Sequence, residues 1–167
     1  MFLSLTDSRT LPALILVSAL GCGLMAGVFF AFSTFVMKAL ARLPPAQGIT
    51  AMQSINIAVI NPRFLGPFVG TAAACVLLAG SSFLKWNEPG AVYLLTGSML
   101  YLVGTFLVTI AFNVPLNDAL AVVDPASADG ARMWAGYITG WTAWNHVRTA
   151  AALAAAASLT VAACRDW

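Results

Sequence analysis

The chain has 167 residues, 60% of them hydrophobic and 8% charged, with a formal net charge of +2 and a mean hydropathy of +0.88. A soluble domain carries about 25% charged residues, so this composition excludes a water-soluble globular protein and defines an integral membrane protein. So small a net charge gives no footing for nucleic acid or an acidic partner.

Nothing is charged between Arg9 and Lys38, which predicts a first membrane span over about residues 11–37. Ala19-Leu20-Gly21-Cys22 resembles a lipoprotein cleavage site, but the apolar run continues through Phe29-Phe30-Ala31-Phe32 to Met37. A signal-peptide core is much shorter than that, so a retained helix is expected. Gly23 and Gly27 here, and Gly66 and Gly70 in the next span, stand four apart and predict seams where helices approach closely.

After Pro44-Pro45, the residues Ile49, Met52, Ile55 and Val59 recur at helical spacing, with Gln53 and Asn56 off that apolar line. This predicts a short amphipathic helix at the membrane interface, ended by Asn61-Pro62. The charge gaps from Arg63 to Lys85 and from Glu88 to Asp118 then place spans over about 64–84 and 91–112. The third ends in Phe112-Asn113-Val114-Pro115-Leu116-Asn117, where proline is expected to break the helix and free backbone carbonyls beside two asparagine amides.

Asp124-Pro125-Ala126-Ser127-Ala128-Asp129-Gly130 reads as an exposed turn, and Trp134, Tyr137, Trp141 and Trp144 as an aromatic belt returning to the membrane. The fourth span is expected over about 141–164. Its alanine-rich part, residues 149–164, covers only roughly 24 Å of a hydrocarbon core about 30 Å thick. The helix must therefore begin earlier, which carries Asn145, His146 and Arg148 below the membrane surface, where ionisable groups point to function. The result is an all-α, four-helix membrane bundle with one interfacial helix, a single domain over residues 1–167. Both termini are expected on one side; charge counts leave the orientation open.

On helical geometry, Thr142, Asn145, His146 and Thr149 share about a third of the circumference, with Trp141, Trp144 and Arg148 adjoining. Each has a plainer reading. Tryptophans anchor at interfaces, Arg148 can snorkel, His146 can cap a helix, and Asn113 and Asn117 can cap the third span. Cys22, Cys75 and Cys164 all fall in apolar segments without metal-ligand spacing and read as small core residues. With one histidine and no intramembrane carboxylate, a protein-built metal site and ion-coupled transport are both poorly supplied.

Four segments carry a family resemblance: Phe29-Phe30-Ala31-Phe32-Ser33 with Val36-Met37, Met52-Gln53-Ser54-Ile55-Asn56, Phe112-Asn113-Val114-Pro115-Leu116-Asn117, and Trp141-Thr142-Ala143-Trp144-Asn145-His146-Val147-Arg148. Together they resemble the anthrone oxygenase-like family of small four-helix membrane proteins. The resemblance implies oxidation of an apolar phenolic or anthrone-like substrate by molecular oxygen without a redox cofactor, in a bacterial cytoplasmic membrane. It carries a site onto Asn56, Asn113, Asn117, Trp141, Asn145, His146 and Arg148; their chemistry, with Trp144 beside them on the helix, suggests His146, Arg148 and Asn145 as catalytic residues and Trp141, Trp144, Asn113, Asn117 and Asn56 as substrate-binding residues. His146 would be the base, Arg148 and the asparagines would stabilise an enolate, and a tryptophan would stack on the ring. Two other classes stand beside this one. The first is a non-catalytic module that binds a membrane lipid, an apolar small molecule or a partner, including a second copy of the chain. The second is a haem- or quinone-associated redox protein with His146 as axial ligand.

Overall fold

In the computed structural model, which describes residues 10–165, the chain forms five helices: α1 (Thr10–Leu40), α2 (Pro45–Ala58), α3 (Pro62–Leu84), α4 (Ala91–Ala121) and α5 (Ala128–Ala163). All but α2 are long and apolar enough to cross a membrane. Their outer faces are apolar too: Val17, Leu20, Val76, Phe83 and Leu153 are each more than half exposed, as lipid-facing side chains are. The protein is an all-helical integral membrane protein. Arg9, which bounds the first uncharged stretch, lies outside the described residues.

Local chemistry sets the helix starts. Asn61 caps α3 by accepting from the backbone N–H groups of Arg63 (2.9 Å) and Phe64 (3.1 Å), with Pro62 in the first turn where no N–H is needed. Ser127 caps α5 in the same way, its Oγ accepting from Gly130 N at 2.9 Å. Pro44-Pro45 opens α2.

Two apolar cores are stacked along the bundle. One, between α1, α3, α4 and α5, contains Ile15, Cys22, Met25, Cys75, Leu94 and Leu159. The other, where α2 covers the end of the bundle, contains Met37, Ile49, Met52, Leu120, Trp134 and Trp141. The close α1–α5 contact is the most extensive in the molecule.

Several expectations are corrected. The third span does not end at Phe112. Pro115 stands in the first turn of a segment that follows a wide π-helical turn (Thr109–Asn113), and the helix runs on to Ala121. The widened turn relieves the clash that proline makes with the preceding turn. The helix of the fourth span, α5, begins at Ala128, not near Trp141, and its 36 residues extend about 54 Å, well beyond a bilayer core. Its first part therefore projects past the hydrocarbon and packs on α2. Trp134, Tyr137 and Trp141 are buried there, 3–5% exposed, and do not form a lipid-facing belt. Cys164 is exposed, unlike Cys22 and Cys75.

The glycine seams are also elsewhere. A Cβ at Gly23, Gly27, Gly66 or Gly70 would meet nothing within 4 Å, whereas one at Gly104 would come within 2.5 Å of Ala151 Cβ. The close approaches lie instead at Gly21, packed against Thr71 of α3, and between α4 and α5, where Gly97 meets Leu159 and Gly104 meets Ala151.

Candidate functional site

The inward face of α5 carries Trp141, Asn145, Arg148 and Thr149, at the i, i+4, i+7, i+8 spacing of one helical stripe. Asn145 is fully buried and ties α5 to α1: its Nδ2 donates to Phe29 O and to Ser33 Oγ, both at 2.7 Å. Ser33 Oγ also bonds Thr149 Oγ1 at 3.0 Å, and Thr149 Oγ1 donates to Asn145 O at 2.8 Å. These bonds fall where α1 widens into a π-helical turn (Phe32–Val36), the kind of local departure that frees backbone for side-chain partners.

The other end of the Asn145 amide holds Arg148, whose Nη2 donates to Asn145 Oδ1 at 2.7 Å. Nη1 donates to Thr109 Oγ1 of α4 at 3.2 Å. The guanidinium lies 4.3 Å from the Phe29 ring centre and 5.0 Å from that of Trp141, so the cation is flanked by two aromatic faces. Arg148 is 4% exposed, and its Nε has no partner. Among the described residues the one ion pair is the exposed Arg132 with Asp129. Arg148 is therefore a buried cation without a carboxylate, an arrangement that costs several kcal/mol even after relaxation.

What the cation faces is a cavity of about 590 Å³ lined by all five helices, within the range of small-molecule sites. Its walls are mainly apolar, with Phe29, Phe32, Phe64, Phe68 and Phe106 among them. The polar lining is sparse: Arg148 and Thr109 from the bundle, Gln53 and Asn56 from α2, Asn117 and Asp118 from the end of α4. Asp118 is exposed and marks the side open to water.

Asn56, Asn117, Trp141 and Arg148, far apart in sequence, meet on this wall. Asn145 stands behind it and orients the cation. Asn113 is buried, with Nδ2 on Trp141 O at 3.2 Å and Oδ1 without a donor, and is not part of the lining. Trp144 stacks on Phe112 at 3.7 Å between ring centres, outside the cavity. His146 is exposed and absent from the lining. It lies one residue, about 100°, past Asn145 on the helix, so it points away from the cavity that Asn145 supports. This geometry speaks against His146 as a base in the cavity and against a haem held there by it.

Thr109 and the phenylalanine walls were not singled out from the sequence. The available signal for Thr109 was its position four and eight residues before Asn113 and Asn117, on one face of α4.

A helical membrane protein whose apolar cavity meets the buried Arg148 guanidinium, which has no ion-pair partner among the described residues, is the class that fold and site define. The sequence matches the family described as Anthrone oxygenase over residues 57–158, more than half of the chain, and the protein belongs to that family. The match spans Asn117, Trp141, Asn145 and Arg148; the α1 and Met52–Asn56 parts of the resemblance precede it. No curated protein and no solved structure matches the chain.

Proposed function

We propose that the protein binds a flat, apolar aromatic bearing an ionisable oxygen and oxidises it with molecular oxygen, as an anthrone is oxidised to a quinone. The observation that carries this reading is Arg148, a buried cation with no carboxylate beside it, on the wall of an apolar cavity. An anionic ligand oxygen supplies the missing countercharge, and aromatic walls accept the ring.

The chemistry follows from the same charge. Arg148 stabilises the enolate, so the substrate's activated methylene loses a proton more readily inside the cavity than outside it. That proton leaves toward Asp118 and water at the open side. The electron-rich carbon then bonds to oxygen, giving a peroxide. Loss of the second methylene proton with cleavage of the O–O bond leaves a carbonyl and, overall, one water. Oxygen is the oxidant, and CH₂ plus O₂ becomes C=O plus H₂O.

Oxygen uptake by the detergent-purified protein with anthrone tests this. Uptake is expected above the spontaneous rate for the wild type and His146→Ala, and at the spontaneous rate for Arg148→Met. Equal uptake by wild type and Arg148→Met would overturn the proposal. Binding without uptake would leave a carrier of anionic aromatics in its place.

A further inference from the structure

The end of the cavity formed by α2 and the last turns of α4 has its own polar arrangement, which enolate binding does not use. Asn117 Oδ1 accepts two hydrogen bonds, from Tyr137 OH at 2.9 Å and from Trp141 Nε1 at 2.8 Å. An indole N–H only donates, so this amide cannot be turned round. Its oxygen is committed to the protein, and its Nδ2, with no acceptor among the described residues, is left for the cavity that Asn117 lines. Nearby, Asn56 Nδ2 is buried beside the Tyr137 hydroxyl and makes no hydrogen bond of sound geometry. Gln53 is locked the opposite way. Its Nε2 donates to Leu120 O (2.9 Å) and Val123 O (3.1 Å), leaving Oε1 as its free polar atom.

We infer that Asn117 forms a second oxyanion-binding group, which holds the oxygen that adds to the substrate carbon opposite the enolate oxygen. This rests on the oxidation proposed above. Trp141 links the two ends: its ring lies 5.0 Å from the Arg148 guanidinium, and its Nε1 fixes Asn117. Thr109, which accepts from Arg148 Nη1, precedes Asn117 by eight residues on α4, about two helical turns.

The step is the one written above, with its oxygen now assigned. The enolate carbon bonds to O₂, and the terminal peroxide oxygen takes the negative charge. The Asn117 N–H group donates to the new oxygens. The C–H proton is then lost as the O–O bond breaks and hydroxide departs, and Gln53 Oε1 accepts from the departing O–H. The carbonyl formed remains an acceptor at the same donors, so the product has two anchored oxygens and the substrate one.

Asn117→Asp tests this, because it keeps an oxygen for Tyr137 and Trp141 and exchanges the free N–H donors for a carboxylate oxygen, which when ionised only accepts and repels an oxyanion. With the full chain in detergent, binding of 9,10-anthraquinone (two opposed oxygens) and of anthrone under anaerobic conditions (one oxygen) is measured, together with kcat and KM. The expected result is anthraquinone binding weakened on the order of tenfold or more, with anthrone binding and KM within about twofold and kcat lowered. Thermal midpoints close to the wild type would show that the bundle is intact. Unchanged affinity for both ligands, or equal loss of both, overturns the second oxyanion group while leaving Arg148 binding in place. If the wild type binds neither ligand, the proposed function itself fails, and this inference with it.

Discussion

Arg148 and Asn145, one turn apart on α5, share a 2.7 Å hydrogen bond from Nη2 to Oδ1, and the same amide reaches through Nδ2 to Phe29 O and Ser33 Oγ of α1. A single asparagine thus both aims the buried cation and staples the two most extensively packed helices. Orientation of the charge and integrity of the bundle are linked through one side chain.

Replacing Asn145 by alanine removes this link and leaves a buried guanidinium N–H, a backbone carbonyl and a hydroxyl short of a partner. A destabilisation of about 2–3 kcal/mol is expected, read as a lower thermal midpoint in detergent. A midpoint equal to the wild type would mean that α1 and α5 do not depend on this amide.

Arg148→Met should act in the opposite sense on stability. An unpaired buried charge is costly, and an apolar side chain of similar length removes that cost, so the thermal midpoint should hold or rise. Binding of an anionic aromatic should fall by roughly a hundredfold, as expected for a lost charge-assisted hydrogen bond. A marked loss of stability would show that the cation is mainly structural.

His146→Ala should leave the thermal midpoint and anthrone oxidation within about twofold of the wild type, as surface substitutions commonly do. The side chain is exposed and away from the cavity. A hundredfold loss of oxidation would restore the histidine as a base and displace the Arg148-centred reading.

Gly104→Leu should destabilise by about 1–3 kcal/mol through overpacking, because its Cβ alone would come within 2.5 Å of Ala151 Cβ. Gly23→Ala, with open space around it, should change stability by less than about 0.5 kcal/mol. Comparing the two midpoints distinguishes a real helix contact from a spacing pattern.

Much of the fold was legible because lipid imposes a simple rule. A span must be apolar for its whole length and satisfy its backbone internally, so gaps between charged residues locate helices. The interfacial helix was legible from Ile49, Met52 and Ile55 at helical spacing. Helix ends were less so. Neither the continuation of α4 through Pro115 nor the start of α5 at Ala128 is written in hydropathy, since both depend on a π-helical turn and on packing against α2. In the site, residue types pointed to a polar cluster near the head of the last helix, and Asn56, Asn117, Trp141 and Arg148 do converge. Grouping Asn145 with His146 failed because neighbouring residues differ by 100° and the true inward stripe is centred between Asn145 and Arg148.

By itself, then, the sequence determined that the protein lives in a membrane, that it is built of helices, and which family it resembles. Composition and periodicity are local properties that the bilayer reads directly. Only the tertiary structure decided which polar side chains face one another: that Arg148 has no carboxylate beside it among the described residues, that Asn117 is locked with its donors free, and that His146 points outward. Those facts depend on helix rotation and on contacts between residues far apart in the chain, such as Asn145 with Phe29 and Ser33, which no local pattern encodes.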